Sequence, residues 1–124
     1  MLHIWTDGSC IGNPGPGGWA WYCPELSTSD SGHILATTNN RAELIAIIEA
    51  LRSHLSKDVK IFTDSQWAIR TIISNRKADN LDLLHMVWKA QAYREVEYQW
   101  VRAHVGNPQN DVVDRLAYQA ARRD

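Results

Sequence analysis

Hydrophobic and polar residues alternate from Leu2 to Asp7, a pattern typical of a β-strand. Asp7 is the last residue of this run, and the following segment, residues 8–18, is so rich in Gly and Pro that it is expected to be a loop. In a sheet with parallel neighbours, side chains at the carboxyl end of a strand point into a crevice where ligands bind. Asp7 is therefore the first candidate functional residue.

Two more strands are predicted before the first helix. Residues 19–23 form an aromatic run of strand type that Pro24 ends. A polar turn over residues 27–32 separates this run from a third strand at residues 33–37. Three strands in succession predict an antiparallel meander.

From Thr38 onward the hydrophobic spacing changes to that of a helix. The residues able to cap its start are Thr38, Asn39 and Asn40, and its hydrophobic stripe is Leu44, Ile48, Leu51 and Leu55. The next strand, at residues 59–64, also ends in an aspartate, Asp64. A strand–helix–strand crossover makes this strand parallel to the first. If the two are neighbours, Asp7 and Asp64 reach the same edge of the sheet.

The second half of the chain reads as helix, helix, strand, helix. Ser65 can cap a helix that runs to about Asn75, with Trp67, Ile69, Ile72 and Ile73 as its hydrophobic residues. A short polar connection, residues 75–80, leads to a helix marked by Leu81, Leu84, Val87 and Trp88. A last strand at residues 96–101 and a loop at 102–108 precede a terminal helix marked by Val113, Leu116, Ala117 and Ala120.

Length and composition predict one globular domain over residues 1–124. With 13 Lys and Arg against 14 Asp and Glu, the net charge of -1 gives no general attraction for nucleic acid, so a polyanionic partner must be held locally. Cys10 and Cys23 lack metal-like spacing and are expected to be free thiols in a reducing compartment. Without a signal peptide or a membrane-length apolar run, the chain is expected to be cytoplasmic and, by default, monomeric.

Four acidic residues are expected near one rim of the sheet: Asp7, Glu43, Asp64 and Asp114. Clustered carboxylates repel one another, so such a group requires cations. Ligands that are all carboxylates suit Mg²⁺ or Mn²⁺ rather than zinc, and two such ions would support in-line displacement at phosphorus. Glu43 would also suit a helix N-terminus for its charge alone, and Asp111 is expected to face solvent in the same setting.

Four segments of the chain closely resemble the motifs of type 1 ribonuclease H, and they occur in the family's order. They are TDGSCIGNPGPGG at residues 6–18, TTNNRAEL at 37–44, TDSQ at 63–66 and HVGNPQNDVVDRLA at 104–117. The resemblance implies an α/β fold with a mixed five-stranded sheet in the order 3-2-1-4-5. Strands 1–3 would be antiparallel and strands 1, 4 and 5 parallel, flanked by about four helices.

The resemblance also implies an activity, which is hydrolysis of the RNA strand of RNA/DNA hybrids to 5′-phosphate and 3′-hydroxyl ends. By position, Asp7 would bridge two Mg²⁺ ions, or Mn²⁺ in their place, Asp114 would complete the site that activates water, and Glu43 and Asp64 would hold the other ion. His104 matches a mobile histidine associated with proton transfer or product release.

The resemblance further implies a substrate-binding set, which comprises Cys10, Asn13, Thr38, Asn39, Asn40 and Gln66. The asparagine amides suit the 2′-hydroxyls and base edges of a minor groove, a feature that distinguishes RNA from DNA. Thr38 matches a position that holds a phosphate of the DNA strand, and Arg41 is expected nearby. Each of these residues also suits a helix cap or a turn.

The chain departs from many family members at residues 75–80, where they insert a basic helix and loop called the handle. With this short connection and a net charge of -1, hybrid binding is expected to be weak and salt-sensitive, with a high KM.

Two other functions fit part of the pattern. A resolvase, integrase or transposase of the same superfold would share the acids but not the segments GNPG and TTNNR. A hybrid-binding module without catalysis would normally have lost an acid, and all four are present.

Overall fold

The computed structural model describes residues 1–74, 79–103 and 106–123. Its five strands form one sheet in the order β3-β2-β1-β4-β5. The strands are β1 (Leu2–Cys10), β2 (Gly15–Cys23), β3 (Thr28–Thr37), β4 (Val59–Thr63) and β5 (Val96–Trp100). β1, β2 and β3 pair in antiparallel fashion, whereas β1, β4 and β5 pair in parallel. This sheet confirms the order and strand directions expected from the sequence.

Helices follow the strands as predicted, and side chains cap three of their starts. The helices are α1 (Asn39–Arg52), α2 (Gln66–Ser74), α3 (Leu81–Gln91) and α4 (Pro108–Ala121), with a short 3₁₀ helix at Pro24–Leu26. The Thr38 hydroxyl accepts a hydrogen bond from the backbone amide of Arg41 at 3.2 Å. Ser65 and Asn107 accept equivalent bonds at the starts of α2 and α4. Each bond satisfies a backbone N–H that has no partner within its helix.

Hydrophobic side chains fill both faces of the sheet. On one face the main core lies under α1 and α3 and includes Ile4, Leu44, Ile47, Ile61 and Leu84. On the other face α4 packs closely through Val113 and Ala117. A Cβ atom at Gly18 would collide with the backbone of α4, so this close approach requires glycine in β2. Small residues on both elements therefore bring α4 close to the sheet, as its Ala-rich sequence predicts.

The loop within the glycine-rich segment is shorter than the composition of that segment suggests. β1 continues to Cys10 and β2 begins at Gly15, so the expectation of a loop over residues 8–18 is wrong. Gly8 pairs with Trp19, and Cys10 pairs with Gly17. Backbone pairing between adjacent strands outweighs the low strand propensity of these residues, and the hairpin narrows to residues 11–14.

Two other boundaries and the exposure of one helix residue also differ from prediction. β3 begins at Thr28, so the polar stretch expected to be a turn belongs to a strand, and the chain reverses through Pro24–Leu26 instead. α1 ends at Arg52, which leaves Leu55 beyond the helix and 72% exposed. Ile73 lies on the outer side of α2 and is 66% exposed. Hydrophobic spacing alone therefore does not decide whether Leu55 or Ile73 is buried. Burial requires that the side chain pack against the sheet.

The short connection in place of the handle falls partly outside the described residues, since 75–78 lie there. At its far end, the Arg41 guanidinium donates two hydrogen bonds to the Asp82 carboxylate, at 3.0 and 2.9 Å. A third bond reaches Asn80 at 3.2 Å. These contacts tie the start of α1 to the start of α3, and they lower the pKa of Asp82 to about 2.

Cys10 and Cys23 are both free thiols, as expected. Within the ranges that the structure describes, the helices are too short or too polar to cross a membrane.

Candidate active site

Asp7 and Asp64 meet where β1 and β4 stop pairing. The parallel ladder between these strands runs from Leu2 opposite Val59 to Trp5 opposite Phe62. β1 continues beyond that point, and its residue Asp7 remains paired with Ala20 of β2. Asp64 directly follows the last residue of β4. Both carboxylates therefore lie where the sheet opens on the β4 side, although Asp7 is inside its strand and not at its end.

Glu43 joins them from the first turns of α1, and a glycine on β1 holds it there. The backbone amide of Gly8 donates a short hydrogen bond to the Glu43 carboxylate. A Cβ atom at Gly8 would collide with the backbone of Ala42 and Glu43. The absence of a side chain thus lets α1 approach β1 closely, and Glu43 leans over the sheet instead of facing solvent.

The three acids form one compact carboxylate cluster, Asp7, Glu43 and Asp64. An oxygen atom of each lies within 4.8 Å of an oxygen atom of the other two. Asp7 is 5% exposed and Glu43 is 8% exposed, whereas Asp64 is half-buried and faces the opening. Two nearly buried acids and a more accessible one therefore form a site whose candidate ligand atoms are all carboxylate oxygens.

Burial and mutual repulsion disfavour the charged forms of this cluster. Burial, followed by the nearby charges of Glu43 and Asp64, raises the pKa of Asp7 well above its usual value. Burial raises the pKa of Glu43 to about 7, although hydrogen bonds from Asp7, Gly8 and Thr63 counteract part of the effect. Without a cation, the Asp7 and Glu43 pair is therefore expected to hold a proton near neutral pH.

Asp114 lies close to the cluster without belonging to its compact core. α4 packs against β1, and the charge of Asp114 is the smallest of the named contributions that raise the pKa of Asp7. Asp114 is half-buried on α4, and it is not among the three acids whose oxygen atoms lie within 4.8 Å of one another. Asp111, one turn earlier, is exposed as expected.

Asn110 is a polar residue of this site that the sequence analysis did not identify. It is 2% exposed, and its side-chain amide donates a hydrogen bond to the Asp64 carboxylate at 3.4 Å. Its side-chain oxygen has no hydrogen-bond partner among the described residues. Its position could have revealed it, because Asn110 precedes Asp114 by one helical turn on the face that carries buried Val113 and Ala117.

The donor set of the cluster fits a hard divalent cation. Its candidate ligand atoms are carboxylate oxygens, which Mg²⁺ and Mn²⁺ prefer over nitrogen or sulfur. In the described part of the chain, no Lys, Arg or His forms an ion pair with Asp7 or Glu43. A bound cation would therefore supply Asp7 and Glu43 with charge compensation that the described residues do not provide as ion pairs.

Five of the six candidate substrate-binding residues lie together at the hairpin beside α1. Asn13 accepts a hydrogen bond from the backbone amide of Asn39 at 2.9 Å. The Cys10 thiol lies 3.4 Å from the backbone oxygen of Thr37, next to the capping residue Thr38. Asn40 is exposed in the first turn of the same helix. The β1–β2 hairpin and the start of α1 thus form one polar surface.

Gln66 and Arg41 are placed differently. Gln66 is exposed at the start of α2, directly after Asp64 and Ser65, and so belongs to the other side of the cluster. Arg41 is bound to Asp82, which restrains its side chain toward α3. His104 lies outside the described residues.

Comparison with known proteins agrees with this architecture. The sequence matches the RNase H family over residues 1–122. It is 37% identical to a protein named Ribonuclease H from Nitratidesulfovibrio vulgaris, over 98% of this chain and 90% of the relative. It is 39% identical to a Ribonuclease H from Tropheryma whipplei, over 94% of this chain and 81% of the relative.

Both alignments are longer than this chain. They extend over 141 and 132 positions, against 124 residues here. Each relative therefore contains residues within the matched region that this chain lacks.

Two solved structures share the fold over nearly the whole chain. The crystal structure of LC11-RNase H1 in complex with RNA/DNA hybrid has a TM-score of 0.82 at 23% identity, covering 98% of this chain and 96% of that one. LC9-RNase H1, described as a type 1 RNase H with the type 2 active-site motif, has a TM-score of 0.81 at 29% identity, covering 97% and 71%. With its sheet order, its carboxylate cluster and its relatives in agreement, this chain belongs to the ribonuclease H family.

Proposed function

We propose that the protein is an endonuclease that hydrolyses the RNA strand of RNA/DNA hybrids with two divalent metal ions. The products would carry 5′-phosphate and 3′-hydroxyl ends. The observation that carries this proposal is the carboxylate cluster, in which Asp7, Glu43 and Asp64 lie within 4.8 Å of one another with little exposure. Membership in the ribonuclease H family supports the same conclusion.

The acids would divide the metal ligation among them. Asp7 is the central residue, because the charges of Glu43, Asp64 and Asp114 all act on its pKa. We assign Asp7 to both ions, Glu43 and Asp64 to one, and Asp114 to the other. When bound, the two Mg²⁺ or Mn²⁺ ions would activate a water molecule and stabilise the leaving oxygen.

Asn110 would keep Asp64 in position. Its amide donates to the Asp64 carboxylate, and its buried oxygen, which has no partner among the described residues, lies close to the proposed metal site. A buried amide oxygen of this kind can accept a hydrogen bond from a water molecule at the site.

Substrate selection would depend on the polar surface beside α1. Asn13 and Asn39 hold each other in place through one hydrogen bond, which leaves amide groups on an exposed surface. Cys10, Asn40 and, across the cluster, Gln66 extend this surface, which suits the 2′-hydroxyls of an RNA minor groove. Thr38 would contact a phosphate of the DNA strand. The hybrid bound to LC11-RNase H1, a protein of the same fold, supports this class of substrate.

His104 is proposed to assist proton transfer or product release, on the basis of its motif alone. Replacing it, as in His104→Ala, is expected to lower kcat about 100-fold with a smaller effect on KM, which is the lower end of the contribution typical of a positioned proton-transfer group. A kcat equal to that of the unmodified enzyme would remove His104 from the mechanism.

A cleavage assay tests the proposed function. End-labelled RNA/DNA hybrid, double-stranded RNA, double-stranded DNA and single-stranded RNA are each incubated with Mg²⁺, Mn²⁺ or EDTA. Cleavage is expected only in the RNA of the hybrid and only with metal. The 5′-phosphate is checked by sensitivity of the product to an exonuclease that requires it.

Matched variants distinguish the loss of a proposed metal ligand from the general effect of removing one negative charge. Asp7→Asn is expected to abolish cleavage, whereas Asp111→Asn, which changes an exposed acid on α4, is expected to retain it. Cleavage of double-stranded DNA would indicate another nuclease of the same superfold. Hybrid binding without cleavage by the folded protein would indicate a binding module, and either result would overturn the proposal.

A further inference from the structure

A groove beside Asp64 is lined by Gln66, Ile69 and Arg70 of α2 and by Trp100 at the end of β5. We call it the Trp100 groove, and its volume is about 270 Å³. Trp100 is 38% exposed, although most of the bulky hydrophobic residues of this domain are packed inside. An indole face open to solvent beside a charged groove is a feature that requires explanation.

Trp100 is joined directly to the carboxylate cluster. Its indole N–H donates a hydrogen bond to the backbone oxygen of Asp64 at 3.3 Å. β4 and β5 are paired up to Thr63 opposite Trp100, so the indole lies one strand away from the cluster. Neighbouring strands are about 4.8 Å apart, whereas phosphates along one strand of a duplex recur about every 3.4 Å of helix axis. A nucleic-acid strand with one phosphate at the cluster therefore has another phosphate within reach of the groove, a few nucleotides away at most.

Two arginines supply positive charge to the same surface. Arg70 lines the groove, and the Arg102 guanidinium carbon lies 6.0 Å from the centre of the Trp100 ring. Both side chains are exposed, and neither forms an ion pair with a carboxylate in the described parts of the chain. Arg41, in contrast, is already bound to Asp82.

We propose that the Trp100 groove binds the RNA strand of the hybrid next to the cleavage site, with the indole against ribose and the Arg70 and Arg102 guanidinium groups on phosphates. The inference rests on the proposed function and adds a second contact surface to it. Guanidinium groups match phosphate geometry with paired hydrogen bonds, and an aromatic face accepts a nucleotide regardless of its base. On a protein with a net charge of -1, two arginines that have no carboxylate partner among the described residues provide local positive charge beside the site, which hybrid binding requires.

The test compares the double variant Arg70→Gln/Arg102→Gln with a charge-matched control, Arg52→Gln/Lys89→Gln. The control residues are exposed near the C-terminal ends of α1 and α3, away from the cluster. At about 0.1 M salt we expect the first variant to raise KM about tenfold with kcat within about twofold, because phosphate contacts that hold the strand bind substrate and transition state alike. Each lost contact should also reduce the slope of log KM against log salt by about 0.7–0.9. The control should change neither.

Binding measured in EDTA gives a readout that does not require cleavage. Fluorescence anisotropy of a labelled hybrid should show the same loss of affinity in the arginine variant. Hybrid should quench tryptophan emission, and Trp100→Phe should remove part of that change.

The failure of this inference can be distinguished from that of the proposed function. If the unmodified enzyme cleaves hybrid and the arginine variant has the KM, salt slope and affinity of the control, the groove does not bind the strand. If the unmodified enzyme does not cleave hybrid at all, the proposed function is wrong, and equal affinities of the arginine variant and the control in EDTA would then reject the groove as well.

Discussion

The backbone amide of Gly8 donates a hydrogen bond to the carboxylate of Glu43, a residue 35 positions further along the chain. This contact joins β1 to α1 at the point where Asp7 enters the carboxylate cluster. It depends on the absence of a side chain at Gly8, since a Cβ atom there would collide with the backbone of Ala42 and Glu43.

Gly8→Ala is expected to reduce the free energy of unfolding by about 1–3 kcal/mol, because the backbone of α1 must move to make room for the methyl group. Displacement of Glu43 should also weaken metal binding. Urea denaturation in EDTA measures the first effect, and the rise in Tm on adding Mg²⁺ measures the second.

Gly106→Ala is the matched control for stability. A Cβ atom at Gly106 has open space, and the cost comes only from its φ of +69°, about 1 kcal/mol. A Gly8→Ala protein as stable as the unmodified protein would contradict the close approach of α1 and β1.

Asp7→Asn is expected to stabilise the protein in the absence of metal. It removes the central charge of a buried group in which Glu43, Asp64 and Asp114 all raise the pKa of Asp7. Relief of about 1 kcal/mol should raise Tm in EDTA by about 3–6 °C in a domain of this size. The same variant should lose most of the increase in Tm that Mg²⁺ or Mn²⁺ causes by binding the folded state.

Asp111→Asn serves again as the control, because it removes one exposed acid and should move Tm little. An unchanged or lower Tm of Asp7→Asn in EDTA would show that repulsion within the cluster does not limit stability.

The stability of the metal-free protein should fall as pH rises from about 4.5 to 7. Burial raises the pKa of Glu43 from 4.5 to about 7 and also raises the pKa of Asp7, so the folded state binds protons more tightly than the unfolded state. The free energy of unfolding therefore decreases with pH over this window, and the loss is complete above the raised pKa values.

Urea denaturation in EDTA at several pH values measures this dependence, with Asp7→Asn/Glu43→Gln for comparison. The double variant lacks both titrating groups and should have a flatter profile. Parallel profiles for the two proteins would contradict the prediction.

Hybrid binding is expected to be weak and strongly dependent on salt. The net charge is -1, and the segment between α2 and α3 is short. KM for a defined hybrid should lie in the micromolar range or above near physiological salt and should fall as salt is lowered. Steady-state kinetics over a salt series measures both, and a low nanomolar KM at physiological salt would contradict the prediction.

The order of elements and the meeting of Asp7, Glu43 and Asp64 were predictable from the sequence. Hydrophobic periodicity indicates the strands and helices. The helix after β3 carries the chain back along the sheet, so β4 runs in the direction of β3 and, through the antiparallel meander, in the direction of β1. The capping residue Thr38 was an equally local feature, whereas Glu43, which the sequence placed in the first turn of α1, lies in its second turn. Local patterns of this kind require no knowledge of distant contacts.

Tertiary structure decided what depends on pairing between distant residues. Gly8 and Gly15 belong to strands because the hairpin satisfies their backbone hydrogen bonds, although their composition favours a loop. Leu55 and Ile73 are exposed because neither faces the sheet.

Tertiary structure also decided part of the candidate active site. The sequence alone indicated that acids would gather at one edge of the sheet, since their positions follow from the order of the elements. Only the fold brings buried Asn110 within 3.4 Å of Asp64 and places exposed Trp100 beside it. These contacts depend on how closely α4 and β5 approach β4, and that distance is set by the packing of side chains far apart in the chain.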